Sequence, residues 1–183
     1  MGDVIDPFDV SIYRALAGGV TSTYALHGSA NVIGGESETL KLRYGTTNPE
    51  EMKFEDAPRT IKFALGENPT RGGRSRGIQP SSRMGVEAML RNSFNDAIAY
   101  RAKWDAYKAD KNARKVAPEY DLRMETLVDI LEGRILVHCH SYRADEIYML
   151  MKVFSDFGIK KLTYQHANEA YKVASELAAF GAG

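Results

Sequence analysis

The sequence predicts an α/β protein: a sheet of short strands, parallel in its second half, under covering helices. Three observations predict it. Five runs are rich in β-branched and aromatic residues, longer stretches between them have apolar residues at helical spacing, and glycine follows most helices. The rhythm from residue 122 onward is helix, strand, helix, strand, helix, which is the pattern of parallel strands joined by crossover helices.

Taken in order, residues 9–17 place Val10, Tyr13, Leu16 and Ala17 on one helical face, and Gly18-Gly19 stop that helix. Residues 20–26 read as the first strand, and helix plus strand read as half of a βαβ repeat. Residues 27–35, with three glycines, read as a loop able to approach a ligand closely. A short second strand is expected over 39–43, and a turn-rich stretch over 44–58. Residues 60–65 make the third strand, ended by Gly66-Glu67-Asn68-Pro69. The Gly/Arg/Ser-rich segment 70–82 reads as a loop. A long helix is expected over 84–108, a basic connector over 109–117 and a second helix over 122–131. Then follow a strand over 134–139, a helix over 144–157, a strand over 159–164 and a helix over 168–180.

Composition narrows the function. The 183 residues suit one domain or part of a larger one. Twenty-four basic and 24 acidic residues cancel, so the chain has no global charge for a polyanion, and no nucleic-acid partner is expected. With 44% hydrophobic residues a buried core is expected. The single cysteine, Cys139, excludes an intrachain disulfide and a cysteine-cluster metal site. No apolar run is long enough to span a membrane, and residues 1–7 do not resemble a signal peptide. The expected compartment is the cytoplasm, or outside the cell if a longer parent carries an export signal.

Parallel strands bury both faces, so polar residues at their C-terminal ends carry the information about function. His138 and His140 end one strand and share a side by period-two alternation, which leaves Cys139 to pack in the core. His166 follows the next strand, so His140 and His166 are expected side by side at one rim. Neutral imidazoles there suit a divalent cation, although two ordinary structural histidines would have the same spacing. Glu67, just past the third strand, could ligate, act as a base, or merely cap a turn. Lys62 lies inside that strand, where a lysine must be paired or modified. The arginines Arg71, Arg74, Arg76 and Arg83 read as a solvated loop more readily than as an anion site. Lys103, Lys108, Lys111, Arg114 and Lys115 read as an exposed face, with Trp104 and Tyr107 packing the helix down.

These residues lie in longer blocks. Ala17-Gly18-Gly19-Val20-Thr21-Ser22 resembles the AGGVTT element of the metal-dependent amidohydrolases. Residues 28–35 resemble the GSANxIGG loop of the subgroup related to imidazolonepropionase, and residues 62–69 its KxALGENP block. Residues 138–147 are similar to its HxHxxRADDI, and His166 with residues 169–174 resembles its H-x-x-E-x-Y-K-V-A. The resemblance runs over essentially the whole chain.

It implies a partial (β/α)8 TIM-type barrel carrying one or two divalent metals, zinc first among them, at the C-terminal rim. His140 and His166 would be ligands, with Glu67 or Lys62 in the bridging position. Glu67 is preferred there, because Lys62 starts about five residues deeper in the strand (roughly 16 Å at ~3.3 Å per residue) and would need carbamylation. Tyr171 and Asn31 are expected to line the pocket. The first-strand H-x-H pair and the last-strand aspartate of that family have no counterpart among residues 1–183, so the whole chain is expected to be one incomplete barrel domain. The implied reaction is hydrolysis of a C–N bond in an amide, cyclic amide or peptide by metal-activated water, with little turnover by this stretch alone. The competing expectation is a non-catalytic α/β module that associates through open strand edges, including with its own copies. A phosphate-binding role for residues 28–35 is disfavoured, since the glycine-rich phosphate motifs are absent.

Overall fold

The computed structural model describes residues 2–111 and 115–183, together with the backbone but not the side chain of Arg76. The expectations for residues 112–114, Arg114 among them, lie outside the described residues. One five-stranded sheet of order β1-β2-β3-β4-β5 organises the chain, with strands Ser22–Ala25, Ile33–Lys41, Thr60–Ala64, Leu136–Ser141 and Leu162–His166. Helices α1 (Val10–Ala17), α2 (Glu67–Arg76), α3 (Arg83–Ala109), α4 (Leu122–Leu131), α5 (Ala144–Asp156) and α6 (Ala174–Phe180) complete it. The result is a mixed α/β fold with an open sheet, the shape expected of part of a barrel.

In the C-terminal half β4 and β5 are parallel as expected, each lying two to three residues later than its sequence suggests, and the expected helix over 168–180 is a 3-10 turn at Ala170–Val173 followed by α6. β3, β4 and β5 are parallel, with Lys62 opposite His138, Ala64 opposite His140, and His140 opposite Gln165. β3 is buried at all five positions, as a central strand must be. Its odd positions, Ile61 and Phe63, join Val137, Cys139 and Leu162 in the main core beneath α3, α4 and α5. The aromatic centre of that core is Phe154, edge-on to Phe63 at 6.3 Å and to Phe94 at 5.9 Å. The even positions face the other side, where the histidines stand. Asp9, Ser82 and Asp121 cap α1, α3 and α4 by accepting backbone N–H bonds at Ser11, Gly85 and Arg123.

The first half departs from expectation in three places. β1 and β2 are an antiparallel hairpin, and β2 is antiparallel to β3 as well, so β1 is not half of a βαβ repeat. The second strand begins at Ile33 rather than 39, taking in Gly34 and Gly35 from the expected loop. The reason is close packing: a Cβ on Gly34 would stand 2.7 Å from the Lys62 carbonyl and 2.8 Å from His27 Nδ1. The reversal of β2 leaves β1 running with β3, β4 and β5, so four strands end at one rim.

The third departure is α2, which forms where a Gly/Arg/Ser loop was expected. Its residues have poor helix propensity, and tertiary contact replaces it. Thr70 is 1% exposed and donates to the Gly66 carbonyl at 3.0 Å. Gly73 lies so close to the following segment that a Cβ would fall 2.1 Å from the Pro80 carbonyl oxygen and 2.8 Å from that of Ile78. Gly73→Ala should therefore lower the unfolding free energy by about 1–3 kcal/mol, the usual cost of overpacking. Ser75→Ala, on the exposed side of the same helix, should change it by less than about 0.5 kcal/mol. Urea denaturation of the two variants checks this.

Candidate metal centre

The common rim collects His27 after β1, the Gly66–Asn68 turn after β3, His140 to Tyr142 at the end of β4, and His166 at the end of β5. The ring centroids of His140 and His166 lie 4.8 Å apart at 72°. Tyr142 closes the group, 4.6 Å from His140 and 5.6 Å from His166. Strand alternation alone would send His166 to the side of Leu162 and Tyr164, because its neighbour Gln165 is the residue opposite His140. His166 instead has φ 67° and Ala167 φ 44°, left-handed values that side chains rarely adopt. That break in the pleat turns the ring back against His140. It is held by Ala167 N–H donating to the Ser141 carbonyl at 2.9 Å and Glu169 N–H donating to the Tyr142 carbonyl at 2.9 Å.

His140 is 3% exposed. Burial first, then the nearby His166 and Lys62, lowers its pKa, which favours the neutral ring that a cation needs. Asn68 Nδ2 donates to its Nε2 at 3.1 Å, while its Nδ1 is buried without a hydrogen-bond partner. His138 lies one layer deeper on the same face, against Tyr24 at 5.2 Å, and burial lowers its pKa too. Cys139 points into the core as alternation requires, and burial pushes its thiol pKa up.

The two candidates for a third ligand fare differently. Glu67 opens α2, its side chain 75% exposed and 3.9 Å from Arg71. Lys62 is 3% exposed, and its ammonium donates to the Gln165 side chain, which belongs to the His140 layer. The length of the lysine side chain thus offsets the depth of its Cα. Burial lowers the Lys62 pKa, easing loss of its proton. Among the described residues no group of three or more His, Cys, Asp and Glu is placed to hold a metal ion.

Other expected site residues disperse. Asn31 lines a cavity of about 1130 Å³ bounded also by Ile61, Met89 and Leu127, on the helix side of the sheet, away from the histidines. Tyr171 is 74% exposed. Arg71 pairs with Glu67, Arg74 donates to the Ser81 carbonyl, and Arg83 pairs with Asp145 and Glu146, so these arginines do not converge on one anion. Sequence reasoning missed Asn68, Gln165 and Tyr142. Period-two counting across the β4–β5 register would have marked Gln165, but the register is itself a tertiary fact.

An α/β sheet that gathers imidazoles at the C-terminal ends of parallel strands is of the kind that places chemistry at that rim. The chain is 36% identical to an amidohydrolase of known structure from Thermotoga maritima MSB8, with a TM-score of 0.86 over 97% of this chain and 45% of that one. It is also 32% identical over 184 residues to amidohydrolase tasK of Hapsidospora irregularis, covering 93% of this chain and 19% of that protein. The chain therefore spans less than half the length of either relative. No family model matches it. Among the described residues no helix is long and apolar enough to cross a membrane.

Proposed function

We propose that residues 1–183 are part of an amidohydrolase barrel domain of the imidazolonepropionase-related kind, whose rim holds a divalent metal, zinc first, as one or two ions. The observation that carries this reading is the His140–His166 pair, edge to face at 4.8 Å above a buried lysine. Two relatives named amidohydrolases support it.

The residues fit half of a metal centre. The imidazoles of His140 and of the exposed His166 would each supply one nitrogen ligand. Lys62 would supply the third donor as a carbamate: its neutral amine adds to carbon dioxide, forming an N–C bond and releasing a proton. Glu67 remains the alternative, though reaching the pair would require it to leave solvent and Arg71. When bound, the metal would lower the pKa of a water to about 7 and polarise a carbonyl. The substrate class is a small amide, cyclic amide or peptide whose C–N bond is hydrolysed. His140 and His166 would hold the ion, and Tyr142 walls the site beside them.

Calorimetric titration with Zn²⁺ tests the reading. His140→Ala and His166→Ala should each weaken binding by about tenfold or more, while Glu67→Gln should leave it within about threefold if Lys62 is the third donor. Equal affinity in the wild type and both histidine variants removes the metal centre.

A further inference from the structure

His166 meets His140 only because its backbone leaves the strand pleat, and that departure is strained. Ala167 N–H donates at 2.9 Å both to the Ser141 carbonyl and to the Gln165 carbonyl. The second bond closes a three-residue turn centred on His166, whose φ of 67° gives it the rare hand of that turn. Such a backbone persists only where the surrounding structure holds it in place. Ala167 ties the turn to the β4–α5 loop once, at Ser141, and Glu169 ties it twice. The Glu169 N–H donates to the Tyr142 carbonyl at 2.9 Å, and its carboxylate Oε2 accepts from the Ala144 N–H at 3.0 Å. Helix α5 needs that acceptor. Its N-cap residue, Arg143, makes no side-chain cap bond, and its guanidinium goes to Asp145 at 3.0 Å. A carboxylate at a helix start satisfies an orphan N–H and suits the helix dipole. Glu169 also pairs with Lys172 at 2.7 Å, but that pair is well exposed and contributes little.

We propose that Glu169 is a positioning residue for the histidine pair: by capping α5 from the neighbouring loop it fixes the left-handed turn at His166 and so keeps that ring against His140. Without the cap bond the two loops separate. His166 then relaxes to ordinary strand backbone, whose alternation sends its ring to the side of Leu162 and Tyr164. The three-residue spacing of His166 and Glu169 in the sequence thus has a physical reason: the acceptor stands one turn beyond the ring it steadies. The inference rests on the reading that this pair holds a cation, and the first of its two measurements needs no metal.

Four substitutions separate the contacts. Glu169→Gln keeps an acceptor at the same reach and loses the charge. Glu169→Asp keeps the charge and is one methylene short of Ala144. Ala144→Pro removes the same bond from the donor side, at the first helical position, where proline is well tolerated. Lys172→Met removes only the ion pair. In the metal-free protein, NMR should show cross-relaxation between the His140 and His166 rings, and the strong amide-to-Hα contact within His166 that a positive φ produces. Both signals should persist in Glu169→Gln and Lys172→Met, and both should be lost in Glu169→Asp and Ala144→Pro. In Zn²⁺ calorimetry the first two variants should stay within about threefold of wild type, and the last two should bind about 10–100-fold more weakly. A merely structural cap would lower the melting temperature of Glu169→Asp and leave the ring contact unmoved, which overturns the proposal. Loss of the ring contact in Glu169→Gln or Lys172→Met would assign the effect to charge and overturns it too. If Glu169→Asp does not fold, Ala144→Pro decides. Failure of the metal reading is separable: it appears as unchanged zinc affinity in His140→Ala, whatever the ring contact shows.

Discussion

Phe154→Ala should lower the unfolding free energy by about 3–5 kcal/mol, enough to remove much of the stability of an ordinary domain. Phe154 is fully buried on α5, edge-on to Phe63 from β3 and to Phe94 from α3. One ring therefore joins the central strand to two helices. Alanine would lose the transfer energy of the ring and leave a cavity with walls on three elements. The edge-on geometry adds about 0.5–1.5 kcal/mol per aromatic pair beyond area. Phe157, 5.3 Å from Phe94 and only partly buried, is the control and should cost less on truncation. Chemical denaturation followed by circular dichroism measures both. A Phe154→Ala loss below about 1 kcal/mol would mean that the core does not centre on this ring.

Lys62→Met should act in the opposite direction on stability and severely on function. Lys62 is 3% exposed on the buried strand β3, and burial lowers its pKa from the ordinary 10.5. The folded chain therefore holds this proton less well than the unfolded chain. Stability contributed by the neutral amine is full above the unfolded value. It declines as pH falls from 10.5 toward the lower folded value, and below that the whole cost of burying the charge remains. Methionine fills similar space without the charge, so at pH 7 the variant should be more stable by about 1–3 kcal/mol. The rise in wild-type stability on alkalinisation should shrink in the variant. The same substitution removes the only route to a carbamate at this position, so zinc affinity should fall by about tenfold or more. A destabilised Lys62→Met protein would show that the Gln165 contact outweighs desolvation, and unchanged zinc affinity would return the third-donor role to Glu67. A protein that retains a costly buried lysine against this gain behaves as expected of a functional site.

What the sequence by itself determined is local. Alternation placed His138 and His140 on one side of β4 and Cys139 on the other, because strand geometry has a period of two. Apolar spacing placed α3, α4 and α5, and the strand–helix rhythm made β4 and β5 parallel, because a crossover helix leaves little choice. Only the tertiary structure decided the rest. β2 runs antiparallel to its neighbours through pairing at Ser22–Lys41 and Ile33–Phe63, which no local pattern encodes. α2 exists because Gly73 and Thr70 fit a space made by other segments, against the propensity of its own residues. His166 meets His140 through a left-handed backbone that breaks alternation, and Lys62 reaches the rim through its partner on β5. Asn68 meets His140 across 72 residues of chain. Periodicity reports which way a side chain leaves its own backbone. The partner it meets depends on segments far away in sequence, whose contacts exist only once the chain has folded.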